Sequence, residues 1–184
     1  MDMTDIASPT ASTHESNDKP ESPLSPFARV ALALARICLG WIFLWAFLDK
    51  LLGLGRGTPS DGSWLDGNSP TAGYLGSVEG TFAGLFSAMS GQVWADWLFM
   101  LGMGGLGVSL ILGIGMRVAA IGGIALLGML WLSSLPLENN PFMDEHLVYL
   151  VTAIALAAAR AGDTLGLGKA WARTPLVRAL PFLR

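Results

Sequence analysis

Apolar residues in this chain fall into long blocks divided by polar, glycine- and proline-rich stretches. Blocks of about 20 residues match a hydrocarbon core ~30 Å thick. Four spans are expected, over residues 27–52, 93–112, 117–135 and 141–161. Pro26 sits at the first turn of the first span, where proline is tolerated because that amide has no intrahelical partner. The pattern predicts an all-α fold, an integral membrane four-helix bundle. Its extended outer loop, residues 53–91, joins the first two spans and opens on the turn formers Gly53-Leu-Gly55-Arg-Gly57. Within that loop Phe82, Leu85, Phe86 and Met89 share one helical face. They predict a short amphipathic helix over 79–90 that lies in the interface or plugs the mouth of the bundle. Gly105, Ser109 and Gly113 recur at steps of four, as do Gly115, Ala119 and Gly123. Small residues so spaced let helices approach closely in lipid.

Along the first span, Arg36, Gly40, Phe43, Phe47 and Lys50 follow at steps of four, three, four and three. A helix stacks them on one stripe. Two cations on an otherwise apolar stripe need separate explanations. Arg36 is expected either to snorkel to the inner headgroups or to be buried against a partner inside the bundle, with Gly40 beside it in a structural role. Lys50 emerges at the far end, as an interfacial anchor or as a donor aimed at Glu138 or Asp144.

Composition supports the membrane reading: 52% of residues are hydrophobic and 14% charged, against about 25% charged in soluble domains. Residues 1–26, rich in Ser, Thr, Pro, Asp and Glu, are expected to form a disordered tail. They lack the basic start and apolar run of a signal peptide. Residues 27–163 make the transmembrane domain, and 164–184 a basic amphipathic tail suited to an anionic leaflet. Arg29, Arg36, Arg117 and the basic residues from Arg160 onward crowd one side, leaving Lys50 and Arg56 on the other. The expected location is the cell membrane, multi-pass, with both termini cytoplasmic.

The outer side then collects Asp49, Lys50, Asp61, Asp66, Asp96, Glu138, Asp144, Glu145 and His146, the carboxylates being read mainly as solvated loop and helix-start charges. Lys50, His146, Glu138 and Asp144 are the candidate catalytic residues. His146 is either a hydrogen-bonded structural residue or a proton-transfer group. With one cysteine, Cys38, and two histidines, the chain offers no thiol pair, no paired haem ligands within the spans and no zinc-type spacing, so no metal is expected. A phosphate loop, a Gly-x-Ser-x-Gly elbow and nucleic-acid binding features are likewise missing.

The pattern Arg36-x3-Gly40-x2-Phe43-x6-Lys50-x2-Gly53, together with the later run Glu138-Asn-Asn-Pro-Phe-Met-Asp-Glu-His146, resembles the DoxX family of small four-helix membrane proteins. The likeness covers residues 30–165, departing at Ala46, where family members often carry glycine. The family includes a subunit of an archaeal thiosulfate:quinone oxidoreductase, and other members are implicated in redox assemblies linked to oxidative stress. The resemblance implies a membrane subunit of a quinone-linked oxidoreductase. A quinone would lie in a slot between the first and fourth spans, lined by Phe43 and Phe47. Lys50 and His146 would be its donors, and Glu138 or Asp144 would relay protons. The alternative is a non-catalytic accessory subunit of a larger respiratory or redox complex; a small-molecule or lipid carrier ranks third. The expected partners are the bilayer and other membrane subunits or a redox protein.

Overall fold

The computed structural model describes residues 24–184, so all but the last three residues of the expected N-terminal tail lie outside the described residues. Among the described residues the chain is all-helical, with no strand. Helix α1 (Pro26–Leu52) opens on Ser25, whose hydroxyl accepts the Ala28 N–H, and is about 40 Å long at 1.5 Å per residue. It ends where Gly53 turns left-handed at φ 63° and returns its N–H to Asp49 O. Two short helices follow, α2 (Ala72–Gly76) and α3 (Ala83–Met89). Then come α4 (Val93–Leu112), α5 (Met116–Ser133) and α6 (Glu145–Ala158). After a 3-10 turn at Ala161–Asp163 come α7 (Gly168–Trp171), α8 (Pro175–Ala179) and a second 3-10 turn at Pro181–Leu183.

Helices α1, α4 and α5 are long and apolar enough to cross a membrane. Helix α6 is apolar but only 14 residues long, about 21 Å. It is shorter than the expected span because polar side chains compete for its first amides. Asn140 Oδ1 accepts the Phe142 and Met143 N–H groups in a local turn, and Asp144 caps the helix by accepting Leu147 N–H at 3.1 Å. Helix therefore starts at Glu145 rather than Pro141.

The expected helix over 79–90 shrinks to α3. Its apolar positions do not share one environment: Phe86 is buried, whereas Leu85 is 54% exposed.

Helix α1 packs on α4, α4 on α5 and α5 on α6, while α6 also touches α1. The core between them holds Leu39, Phe43, Leu106, Leu110, Leu127 and Leu156. Large apolar side chains also point outward, among them Trp41, Leu101, Ile121, Ile124 and Val151. That is an expensive arrangement in water and the ordinary one in lipid.

The α1–α4 contact is made by glycine, but on a different face from the one the four-residue spacing indicated. A Cβ on Gly105 would meet nothing within 4 Å. One on Gly107 would stand 2.6 Å from Leu44 N, and one on Gly40 2.8 Å from Leu110 Cβ. Gly104 lies under the Phe47 ring. The backbones of α1 and α4 meet through Gly40 and Gly107, a fit that any side chain there would break.

Candidate functional site

Arg36 is fully buried and does not snorkel. Its position one turn below Gly40 carries the side chain to the C-terminal end of α4, where the last carbonyls of a helix lack intrahelical donors. Nη1 donates to Leu110 O and, at 3.0 Å, to Ile111 O. Nη2 donates to Leu165 O at 2.8 Å and lies 3.5 Å from Thr164 O. One guanidinium thus ties α1, the negative end of the α4 dipole and the loop after α6. Glycines make room for it: a Cβ at Gly113 or Gly166 would fall 2.8 or 2.9 Å from an Arg36 nitrogen. The Leu167 N–H donation to Leu112 O at 2.8 Å closes the same junction.

At the opposite end, two carboxylates read as solvated loop charges prove buried. Asp49 is 3% exposed; its oxygens accept Gly57 N–H at 2.9 Å and Arg56 N–H at 3.2 Å, folding the start of the long connection back onto α1. Asp96, 6% exposed in the first turn of α4, accepts Ser69 Oγ at 2.7 Å, Thr71 Oγ1 at 2.6 Å and Thr71 N–H at 3.2 Å. Trp64 adds an edge-to-face contact with Trp97 at 4.7 Å. The long connection is therefore clamped to α1 near its start, at residues 56–57, and to α4 near its middle, at residues 69–71. Neither partner set was readable in advance, since the amides that satisfy Asp49 and the hydroxyls that satisfy Asp96 are brought in by loop geometry. Replacing Asp96 by Ala is expected to cost about 1.5–3 kcal/mol, the range for hydrogen bonds to a charged group. It should also speed hydrogen exchange at Thr71; an unchanged Thr71 exchange rate would contradict the clamp.

The sequence-predicted site residues separate into different surroundings. Phe43 is 3% exposed and meets Tyr149 of α6 edge to face at 5.9 Å, so aromatic packing fills the space expected to be a slot. Phe47 turns instead toward Gly104 of α4. Lys50, half-buried in the last turn of α1, places Nζ 5.9 Å from the centroid of the Phe99 ring and forms no ion pair among the described residues. His146 Nδ1 lies 2.7 Å from Asp144 Oδ2, while the other oxygen of that carboxylate caps α6. Asp144 is thus committed on both oxygens.

Glu138 and Asp144 do share a place: a cleft of about 720 Å³, also lined by Tyr74, Glu79, Ser133 and Glu145. Tyr74 Oη and Ser133 Oγ meet at 2.7 Å across its wall, and Trp131 Nε1 donates to Phe142 O at 2.8 Å, holding the 136–144 loop against α5. Lys50 and His146 are not among the residues lining the cleft. Among the described residues no three His, Cys, Asp or Glu side chains converge to hold a metal ion. Compared with family models, curated proteins and solved structures, the chain finds no match.

Proposed function

We propose that the chain is a four-span cell-membrane protein of the DoxX kind, with both termini cytoplasmic. In this reading it serves as a non-catalytic subunit of a quinone-linked redox assembly. Helix α6, lengthened by the turn at Ala161–Asp163, supplies the fourth crossing. Arginine and lysine placement supports the orientation: Arg29, Arg117, Arg160, Lys169, Arg173 and Arg178 lie toward one end, Lys50 and Arg56 toward the other. The assembly itself is implied by the resemblance of the Arg36–Gly53 and Glu138–His146 segments. One observation carries the non-catalytic reading. Each buried charged side chain among the described residues (Arg36, Asp49 and Asp96) is spent on backbone or loop groups of the chain.

A specific feature favours a second reading, in which the subunit also holds a quinone. Lys50 presents an ammonium that has no carboxylate partner among the described residues and lies beside an aromatic ring, the pairing of donor and flat apolar surface that a quinone carbonyl and ring would use.

Extraction in mild detergent is expected to bring down a larger membrane complex. Lys50→Ala and His146→Ala should each leave both its assembly and its turnover unchanged. Assembled complex with turnover lost in Lys50→Ala would replace the first reading by the second. Recovery of free monomer alone would remove both.

A further inference from the structure

At the end of the helices away from the long outer connection, three arginines from separate segments line one small hollow. Arg117 belongs to the first turn of α5, Arg160 follows α6, and Arg184 comes from the folded-back tail. Asp163 lines it too, but its Oδ2 already accepts Arg184 Nη2 at 2.9 Å. Counting side chains alone, three guanidiniums and one carboxylate give an excess of two positive charges at the rim. Arg117 and Arg160 form no ion pair among the described residues. Arg117 uses Nη1 on Pro181 O at 3.1 Å and keeps its remaining donors. Arg184 Nε is buried and finds no acceptor among the described residues, a cost that an oxygen within its reach would remove. Arg160 adopts φ 52°, a left-handed backbone that a non-glycine residue holds at a cost.

The hollow measures about 20 Å³, and a water-sized group needs roughly 10–15 Å³. One oxygen of an oxyanion fits inside while the rest of the anion lies at the mouth, within reach of planar, bidentate donors. The first turn of α5 lies at the same point, but its Arg117 N–H is already donated to Arg184 O at 3.0 Å, so the guanidiniums rather than the helix end supply the donors. The tail that carries Arg184 also exposes Leu165, Leu167, Leu176, Leu180 and Phe182, apolar side chains that a free phosphate has no use for and an acyl chain does. We infer that this hollow binds the phosphate of an anionic phospholipid headgroup, with the lipid's chains along the exposed leucines. The inference rests on the membrane-spanning reading above and adds a ligand to it.

The test uses the full chain in neutral detergent, with thermal unfolding followed as phosphatidylglycerol, phosphatidylcholine or inorganic phosphate is added. Phosphatidylglycerol is expected to raise Tm in a saturable way, and the other two are not. Arg117→Gln and Arg160→Gly should each weaken the apparent affinity, and the double variant should abolish the shift. Glycine accepts the φ of residue 160 without strain, so the loss in Arg160→Gly does not come from misfolding. An equal shift with phosphatidylcholine, an equal shift with inorganic phosphate, or a full shift in the double variant would each overturn the proposal. Alkaline extraction of native membranes, run in parallel, shows separately whether the chain is integral. A chain that is washed off removes the membrane reading itself, whereas a retained chain without lipid response removes only the site.

Discussion

Arg36→Met is expected to destabilise the protein by about 3–5 kcal/mol, because a hydrogen bond from a charged donor is worth about 1.5–3 kcal/mol and the carbonyls of α4 and of the loop after α6 both lose theirs. The alternative deserves weighing, because replacing a whole buried ion pair by apolar residues is often neutral or stabilising. That outcome requires both partners to be replaced. Here the partners are the carbonyls of Leu110, Ile111 and Leu165, which stay in place whatever stands at position 36. The last carbonyls of α4 would be left facing apolar surroundings without a donor, and the loop after α6 would lose its tie to α1. For a chain of this length the loss corresponds to roughly 6–20 °C in Tm. Arg36→Lys should recover only part of it, since one ammonium cannot replace a planar fork that serves both the α4 carbonyls and the 164–165 loop. Thermal unfolding in detergent reads both variants. A Tm for Arg36→Met within about 2 °C of the parent would show that water or another donor takes over these carbonyls.

The same residue shows how far the sequence could be read. An all-helical chain with long apolar helices follows from block length alone, and the three longest helices bear that out. The stripe of Arg36, Gly40 and Phe43 also marks the buried face of α1, because helical periodicity fixes which side chains share a face. What periodicity cannot give is the partner. Whether Arg36 reaches a headgroup or a carbonyl depends on where α4 ends and where the chain returns after α6. These are long-range facts, settled by Gly113 and Gly166 leaving room for a guanidinium. Asp49 and Asp96 failed as solvated charges for a related reason. Their burial depends on loop amides and hydroxyls that come within reach only once the connection has folded back. The slot expected between the first and fourth spans, lined by both Phe43 and Phe47, assumed that residues on one stripe face one neighbour. Four residues advance a helix by about 400°, some 40° past a full turn, enough for Phe43 to meet Tyr149 of α6 while Phe47 meets Gly104 of α4.

Gly107→Ala and Gly105→Ala, two substitutions of the same kind two positions apart on one helix, are expected to differ in sign. A methyl at Gly105 meets nothing within 4 Å, so the variant should gain up to about 1 kcal/mol from the better helix propensity of alanine. A methyl at Gly107 would stand 2.6 Å from Leu44 N and 2.8 Å from Leu44 Cα. Those are backbone atoms that cannot rotate away, so α1 and α4 must separate, at a cost of about 1–3 kcal/mol. The separation has a second consequence. Leu110, whose carbonyl accepts from Arg36, lies one turn beyond Gly107 on α4, and its Cβ faces Gly40. Moving α4 outward lengthens the arginine's reach to that carbonyl, so part of the Gly107→Ala cost is a weakened Arg36 contact. The double variant Gly107→Ala/Arg36→Met should therefore lose less than the sum of the single losses, by about 0.5–3 kcal/mol. Strict additivity would mean that the glycine contact and the arginine tie hold α1 and α4 independently. Coupling of that size would make them one device, in which two glycines bring the backbones close enough for one buried arginine to close a helix end it does not belong to.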